Sequence, residues 1–142
     1  MINQKTPPKL ILLEGHLATE LKTITIMVTL YCRKHHATAL CDECQALIDH
    51  AQQKLDRCVF GQQKPACKKC PVHCYKPNFK QRTKFIMKET GMKMLFIHPI
   101  LAFKHLLKGL NKFPTPIPTG LSNYQVRKAH IKMIQLENKF KQ

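Results

Sequence analysis

Six of the seven cysteines fall into a repeated frame. Shifting the chain against itself by 26 positions superposes Cys32, Cys41 and Cys44 on Cys58, Cys67 and Cys70, and both sets read C-x8-C-x2-C. The first set carries His35 and His36 inside its long gap, and the second is followed at once by His73 and Cys74. Each half therefore offers four soft ligands. One set is Cys32, His35 or His36, Cys41 and Cys44; the other is Cys58, Cys67, Cys70 and Cys74, or His73 in place of the last. Two thiolates separated by two residues converge on one metal atom because the turn between them points both side chains inward. A longer gap lets the remaining ligands return from a neighbouring element. The expectation is a fold organised around a metal-binding, Cys-rich centre.

Spacing leaves the metal open. Zinc suits a Cys3His set and acts there as a structural staple. The compact C-x2-C-x3-C run of Cys67, Cys70 and Cys74 suits an iron–sulfur cluster, with Cys58 as fourth ligand. A thioredoxin-like use of C-x-x-C needs a βαβ setting, which neither copy has. No G-x-S-x-G, phosphate-binding loop or dinucleotide fingerprint is present. The eight acidic residues are too sparse for a paired-carboxylate hydrolase. No catalytic residue is assigned. Tyr31 and Tyr75, each beside a cysteine, are expected to shield the site.

Around this centre the apolar pattern is helical. Leu10, Leu13, Leu17, Leu21, Ile24 and Val28 recur every three or four positions and predict an amphipathic helix from about Pro8 to Tyr31. The β-branched run TITIMVT argues weakly for a strand, and the longer helical period overrides it. Leu40, Cys44, Leu47, Ile48, Ala51 and Leu55 mark a second helix, with Asp42 and Glu43 at its positive end. Gly61, Pro65, Pro71 and Pro77 break the chain into a Cys-rich loop region. Asn78 is the expected cap of a third helix, with Gly91 as its stop, and Pro99 opens a fourth. Ser122 and Gln125 form a capping-box pattern before a last amphipathic helix marked by Val126, Ala129, Met133, Leu136 and Phe140, a stripe expected to pack back on the core. The reading is a mainly α protein, a small helical domain around a Cys-rich centre. It comprises a core over residues 1–112, a proline-rich linker over 113–120 and a C-terminal amphipathic helix over 121–142. At 142 residues one domain is expected.

Charge is strongly one-sided, with 24 Lys and Arg against 8 Asp and Glu. From Lys76 onward, 14 basic residues face only Glu89 and Glu137. The lysines are scattered over several segments, which reads first as a solvated surface; such a field also attracts polyanions, so the candidate partners of the basic C-terminal half are nucleic acid, anionic lipid or an acidic protein. The first 22 residues do not read as a signal peptide, since Glu14, His16, Glu20 and Lys22 interrupt their short apolar run. No stretch approaches the roughly 18 apolar residues of a membrane span. The expectation is a cytoplasmic protein, where such cysteines serve metal or redox chemistry before disulfides.

The segments YCRKHH (31–36), LCDECQALIDHAQQKLDRCVFG (40–61), KPACKKCPVHCYKP (64–77) and HPILAFKHLL (98–107) resemble the bacterial nitrous oxide-stimulated promoter family. The likeness runs from about Leu10 to Gly109. It implies that Cys32, His35, His36, Cys41, Cys44, Cys58, Cys67, Cys70, His73 and Cys74 occupy the family's Cys and His positions. A departure is GMKML at 91–95, where a proline is expected after the glycine. The resemblance implies a small cytoplasmic bacterial protein linked to nitric oxide or nitrosative stress, but names no reaction. Nitric oxide attacks iron–sulfur clusters, and thiolates undergo S-nitrosylation. That context favours an iron–sulfur cluster on Cys58, Cys67, Cys70 and Cys74, with zinc as the alternative.

Overall fold

The computed structural model describes residues 12–36, 39–66, 70, 72, 74–110 and 122–140. Among these residues the chain forms α1 (Gly15–His35), α2 (Asp42–Asp56), a single 3-10 turn (Gly61–Gln63), α3 (Pro77–Ile97), α4 (Pro99–Lys108) and α5 (Asn123–Phe140). No strand occurs among them, and the mainly α expectation holds.

The first helix is the one that the three–four spacing predicts, set a few residues later. Of its apolar positions, Leu17, Ile24, Val28 and Cys32 are buried; the expected start at Pro8 lies outside the described residues. TITIMVT is helical throughout. The hydroxyls of its Thr23, Thr25 and Thr29, and that of Thr19 one turn earlier, each donate to the carbonyl four residues before, at 2.8–3.2 Å. Such bonds give a β-branched residue a local partner inside a helix. At the start of α1, Gly15 takes φ +55°, and a Cβ there would meet Gln62 Oε1 at 2.8 Å. Gln62 fills that space as a cap. Its side chain accepts from the His16 N–H at 2.7 Å and donates to the Glu14 carbonyl at 2.9 Å. The first of these bonds satisfies an N–H that a helix start leaves unpaired.

The core lies between α1, α2 and α3. Leu17, Ile24, Met27 and Val28 of α1 meet Leu47, Ile48, Ala51 and Leu55 of α2, and Ile86 and Met94 of α3 close over them. Burying each of the larger aliphatic side chains contributes about 1.5–3 kcal/mol. Cys32 and Cys44 belong to the same cluster, so the core extends directly into the Cys-rich region. A buried ion-pair group ties two further segments to α1. The Glu20 carboxylate of α1 accepts from Lys64, just beyond the 3-10 turn, and from Lys108 of α4, both at 3.4 Å.

Two expected boundaries move. The third helix begins at Pro77 rather than being capped by Asn78, because the fixed φ of proline suits a first helical position. It also runs through Gly91 to Ile97. Gly91 has open space where a Cβ would lie, and positive φ among the described residues is confined to Gly15 and Gly61. Packing of Ile86, Thr90 and Met94, spaced four apart on the buried face, carries the helix past a glycine that costs about 1 kcal/mol relative to alanine. The chain turns at His98, and Pro99 opens α4 as expected.

The last helix also differs from expectation. Half of its capping box is formed: the Gln125 N–H donates to Ser122 Oγ at 3.2 Å, while the Gln125 side chain accepts from the Ser122 hydroxyl at 2.9 Å. Yet α5 buries none of its residues. The apolar stripe does not pack back on the core; the helix is held by its first turn. Arg127 reaches Asp56, at the end of α2, with two bonds of 2.7 and 3.0 Å, and Asn123 adds a third at 2.6 Å. Tyr124 lies beneath the Arg57 guanidinium, 5.5 Å from it. The proposed linker, 113–120, lies outside the described residues. Among the described residues no helix is long and apolar enough to cross a membrane.

Candidate metal centre

Where α1 ends and α2 begins, four side chains converge. Cys32 lies in the last turn of α1, and His36 is the residue just past its end, one helical turn further along the same face. Cys41 is the N-cap of α2, and Cys44 lies in its first turn. The ligand atoms of Cys32, His36, Cys41 and Cys44 all lie within 4.8 Å of one another. His36 Nδ1 stands 3.2 Å from Cys41 Sγ and 3.4 Å from Cys44 Sγ. A single tetrahedral zinc ion, with bonds of about 2.3 Å to sulfur and about 2.0 Å to nitrogen, sets its ligand atoms about 3.5–3.8 Å apart. The S3N donor set therefore fits one ion by both chemistry and spacing, and the cluster can hold a metal.

Electrostatics divides the thiols. Cys32 and Cys44 are fully buried, Cys41 is half-buried and His36 is exposed. The Cys41 thiol is lowered to about 6, chiefly by the backbone N–H of Cys44 directed at its sulfur; burial opposes this, and the neighbouring Cys44, Cys32 and His36 side chains lower it further. A sulfur at the N-terminus of a helix is held as thiolate in this way. Cys44 is pushed up to about 12, by burial first and then by the two thiols beside it. The Cys41 N–H also donates to Cys32 Sγ at 3.3 Å, so backbone and side chains aim at one point.

The remaining candidates sit elsewhere. His35 turns away from the cluster and bonds Glu89 Oε1 of α3 at 2.5 Å, which leaves His36 as the histidine of the first set. Cys58 is half-buried between α2 and the 3-10 turn. Cys70 is half-buried with its thiol donating to the Val72 carbonyl at 3.4 Å, and Cys74 is exposed. Cys67 and His73 lie outside the described residues. Among the described residues Cys32, His36, Cys41 and Cys44 are the one group of three or more such ligands in metal-binding range.

Of the residues around the cluster, two tyrosines were expected from the sequence and two residues of α3 carried no signal there. Tyr31 stands edge-on to His36, with ring centres 5.4 Å apart, and packs on His35 and Phe85. It flanks the histidine side of the cluster, although His36 itself stays exposed. Tyr75 instead packs against His50, as does Phe79, which stacks on the imidazole at 4.2 Å. Glu89 and Arg82, both on α3, tie down the two ligand-bearing segments. These ties pair residues 39 to 55 positions apart, which no local spacing reveals.

Comparison with known proteins follows the same residues. The family described as nitrous oxide-stimulated promoter matches residues 15–117. Protein YgbA of Escherichia coli (strain K12) is 42% identical over 115 residues, covering 80% of this chain and 95% of its own. No solved structure matches. With most of its length matched, the region of the four converging ligands included, this chain belongs to the nitrous oxide-stimulated promoter family.

Proposed function

We propose that this protein is a cytoplasmic, metal-stapled thiolate module serving the response to nitrosative stress, with one zinc ion held by Cys32, His36, Cys41 and Cys44. The observation that carries the reading is the convergence of three sulfurs and one imidazole nitrogen within 4.8 Å. An iron–sulfur cluster shares its four ligands among two or four irons, and so spreads the set as a whole farther apart than a single ion does. The observed separations favour the single ion. Bound zinc supplies a structural staple and keeps its sulfur ligands deprotonated.

The link to nitrosative stress rests on the family description, which speaks of a promoter stimulated by nitrous oxide. The chemistry is compatible. A nitrosating species such as dinitrogen trioxide transfers a nitrosonium to thiolate sulfur; an S–N bond forms and nitrite leaves. Cys41, half-buried and held as thiolate, is the sulfur best placed for it. The same reading treats residues 1–112 as the core and α5 as a separate appendage, since α5 hydrogen-bonds the rest of the chain through Asn123 and Arg127.

Anaerobic purification followed by metal analysis and a visible spectrum tests the proposal. A colourless protein with one zinc per chain, lost in Cys44→Ser, is the expected result. A brown protein absorbing at about 400 nm, with iron and sulfide, would overturn it in favour of a cluster on Cys58, Cys67, Cys70 and Cys74. The C-x2-C-x3-C spacing of the last three is what supports that second reading.

A further inference from the structure

The last helix presents an unusual surface for a segment attached to a folded core. Val126, Met133 and Phe140 stand seven residues apart, and with Leu136 they form an apolar stripe about 80° wide along the helix. All four are exposed, Phe140 to 88%. Ile131 and Ile134 lie off the stripe and are exposed too. Beside the stripe, next to Leu136, Lys128, Lys132 and Lys139 fall within about 40° of one another and make a row of positive charge. Arg127 takes no part in this row, because it is bonded to Asp56. The helix is thus fixed at its first turn, and its remaining length, about 20 Å, projects with apolar and cationic strips side by side.

We propose that α5 is an interfacial helix that lays this stripe on an anionic lipid surface, with Lys128, Lys132 and Lys139 among the headgroups. Charge decides between occupants. A second copy would bring the same formal +16 and its own lysine row, so the rim of such a contact would repel. Nucleic acid would satisfy the lysines yet leave the Val126–Met133–Phe140 stripe in water. An anionic bilayer offers negative headgroups and an apolar layer immediately beneath, in the same order across the helix as its two strips. The interaction is peripheral, since among the described residues no helix is suited to crossing a membrane. It stands apart from the metal centre and does not depend on which ion is bound there.

The test uses the full chain. The protein lacks tryptophan, so Phe140→Trp introduces a single reporter at the end of the stripe. Titration with vesicles of equimolar phosphatidylglycerol and phosphatidylcholine is expected to shift its emission to the blue, and phosphatidylcholine alone to shift it far less. In that background Met133→Asp with Leu136→Asp should weaken binding at least tenfold, and Lys128→Gln or Lys132→Gln about fivefold each. These side chains are exposed, so unchanged circular dichroism and metal content confirm that the variants retain their fold. No shift with anionic vesicles overturns the proposal. So does equal binding by the Met133→Asp, Leu136→Asp protein, or a DNA duplex bound more tightly than the vesicles with no dependence on the stripe.

Discussion

Arg82 and Glu89 stand seven residues apart on α3 and hold the two segments that supply the metal ligands. Arg82 Nη2 donates to Glu43 Oε2 in the first turn of α2 at 2.8 Å, and Glu89 Oε1 bonds Lys34 and His35 at the end of α1, both at 2.5 Å. Two of the eight acidic residues are committed to this clamp. It fixes the spacing between the Cys32–His36 segment and the Cys41–Cys44 segment from outside the cluster.

Loosening the clamp should therefore weaken the metal site without abolishing it. Glu89→Gln and Arg82→Ala are expected to fold and to lose less than about tenfold in zinc affinity, measured by competition with a chromophoric chelator. A loss as large as that of a cysteine variant would mean that Glu89 is itself a ligand.

Removing a ligand should act on metal and fold together. Cys32→Ser and Cys44→Ser each delete a fully buried sulfur that is also part of the core, so bound metal and melting temperature should both fall. Cys70→Ser, outside the cluster, should leave both unchanged. Metal retained in Cys44→Ser and lost in Cys70→Ser would transfer the ion to the second cysteine set.

The Asp56–Arg127 pair makes the attachment of α5 acid-sensitive. Burial alone would raise the Asp56 carboxyl, but bonds from Arg127 and Asn123 outweigh it and hold the group below its ordinary 3.8. A folded value below the unfolded one means stabilisation that is complete at neutral pH and lost as pH falls through about 4 and below. Amide protection at the start of α5, corrected for the intrinsic pH dependence of exchange, should fall over that range. Arg127→Ala should lower that protection already at pH 7, with a cost of about 1–3 kcal/mol for the lost charged hydrogen bonds.

His50 should give the opposite lesson about burial. Its Nε2 is buried and has no hydrogen-bond partner among the described residues, with Phe79 stacked on the ring. Burial, aided by Lys54 and Lys76, lowers it below the ordinary 6.5. The unfolded chain then takes up the proton first, so stability should decline as pH drops below about 6.5. His50→Phe should remove that decline and add about 1 kcal/mol in urea unfolding at pH 7. An unchanged pH profile in His50→Phe would assign the decline to another group.

Much of the architecture was legible because it is local. Three–four spacing located α1 and α2, proline placed the start of α4, and Ser122 with Gln125 marked the start of α5. The first ligand set was legible for the same reason, since all its members lie between Cys32 and Cys44. The choice of His36 over His35 was not, because it depends on Glu89, more than fifty residues away. Gly91 misled because its backbone freedom is unused once Ile86, Thr90 and Met94 pack on the core. The stripe of α5 was visible, but amphipathicity tells only that a face is apolar, not what covers it.

The eleven residues between Cys32 and Cys44 also bear on the order of assembly. Closing so short a loop carries a small entropic penalty, one that grows only slowly with length. An ion can therefore be captured by the end of α1 and the start of α2 before α3 arrives with Arg82 and Glu89. In that order metal uptake seeds the helical hairpin, and later packing locks it. Refolding with metal present from the start should then be faster than refolding with metal added last, as followed by pulse-labelled amide exchange in α1 and α2. Equal rates would place capture after the chain has folded.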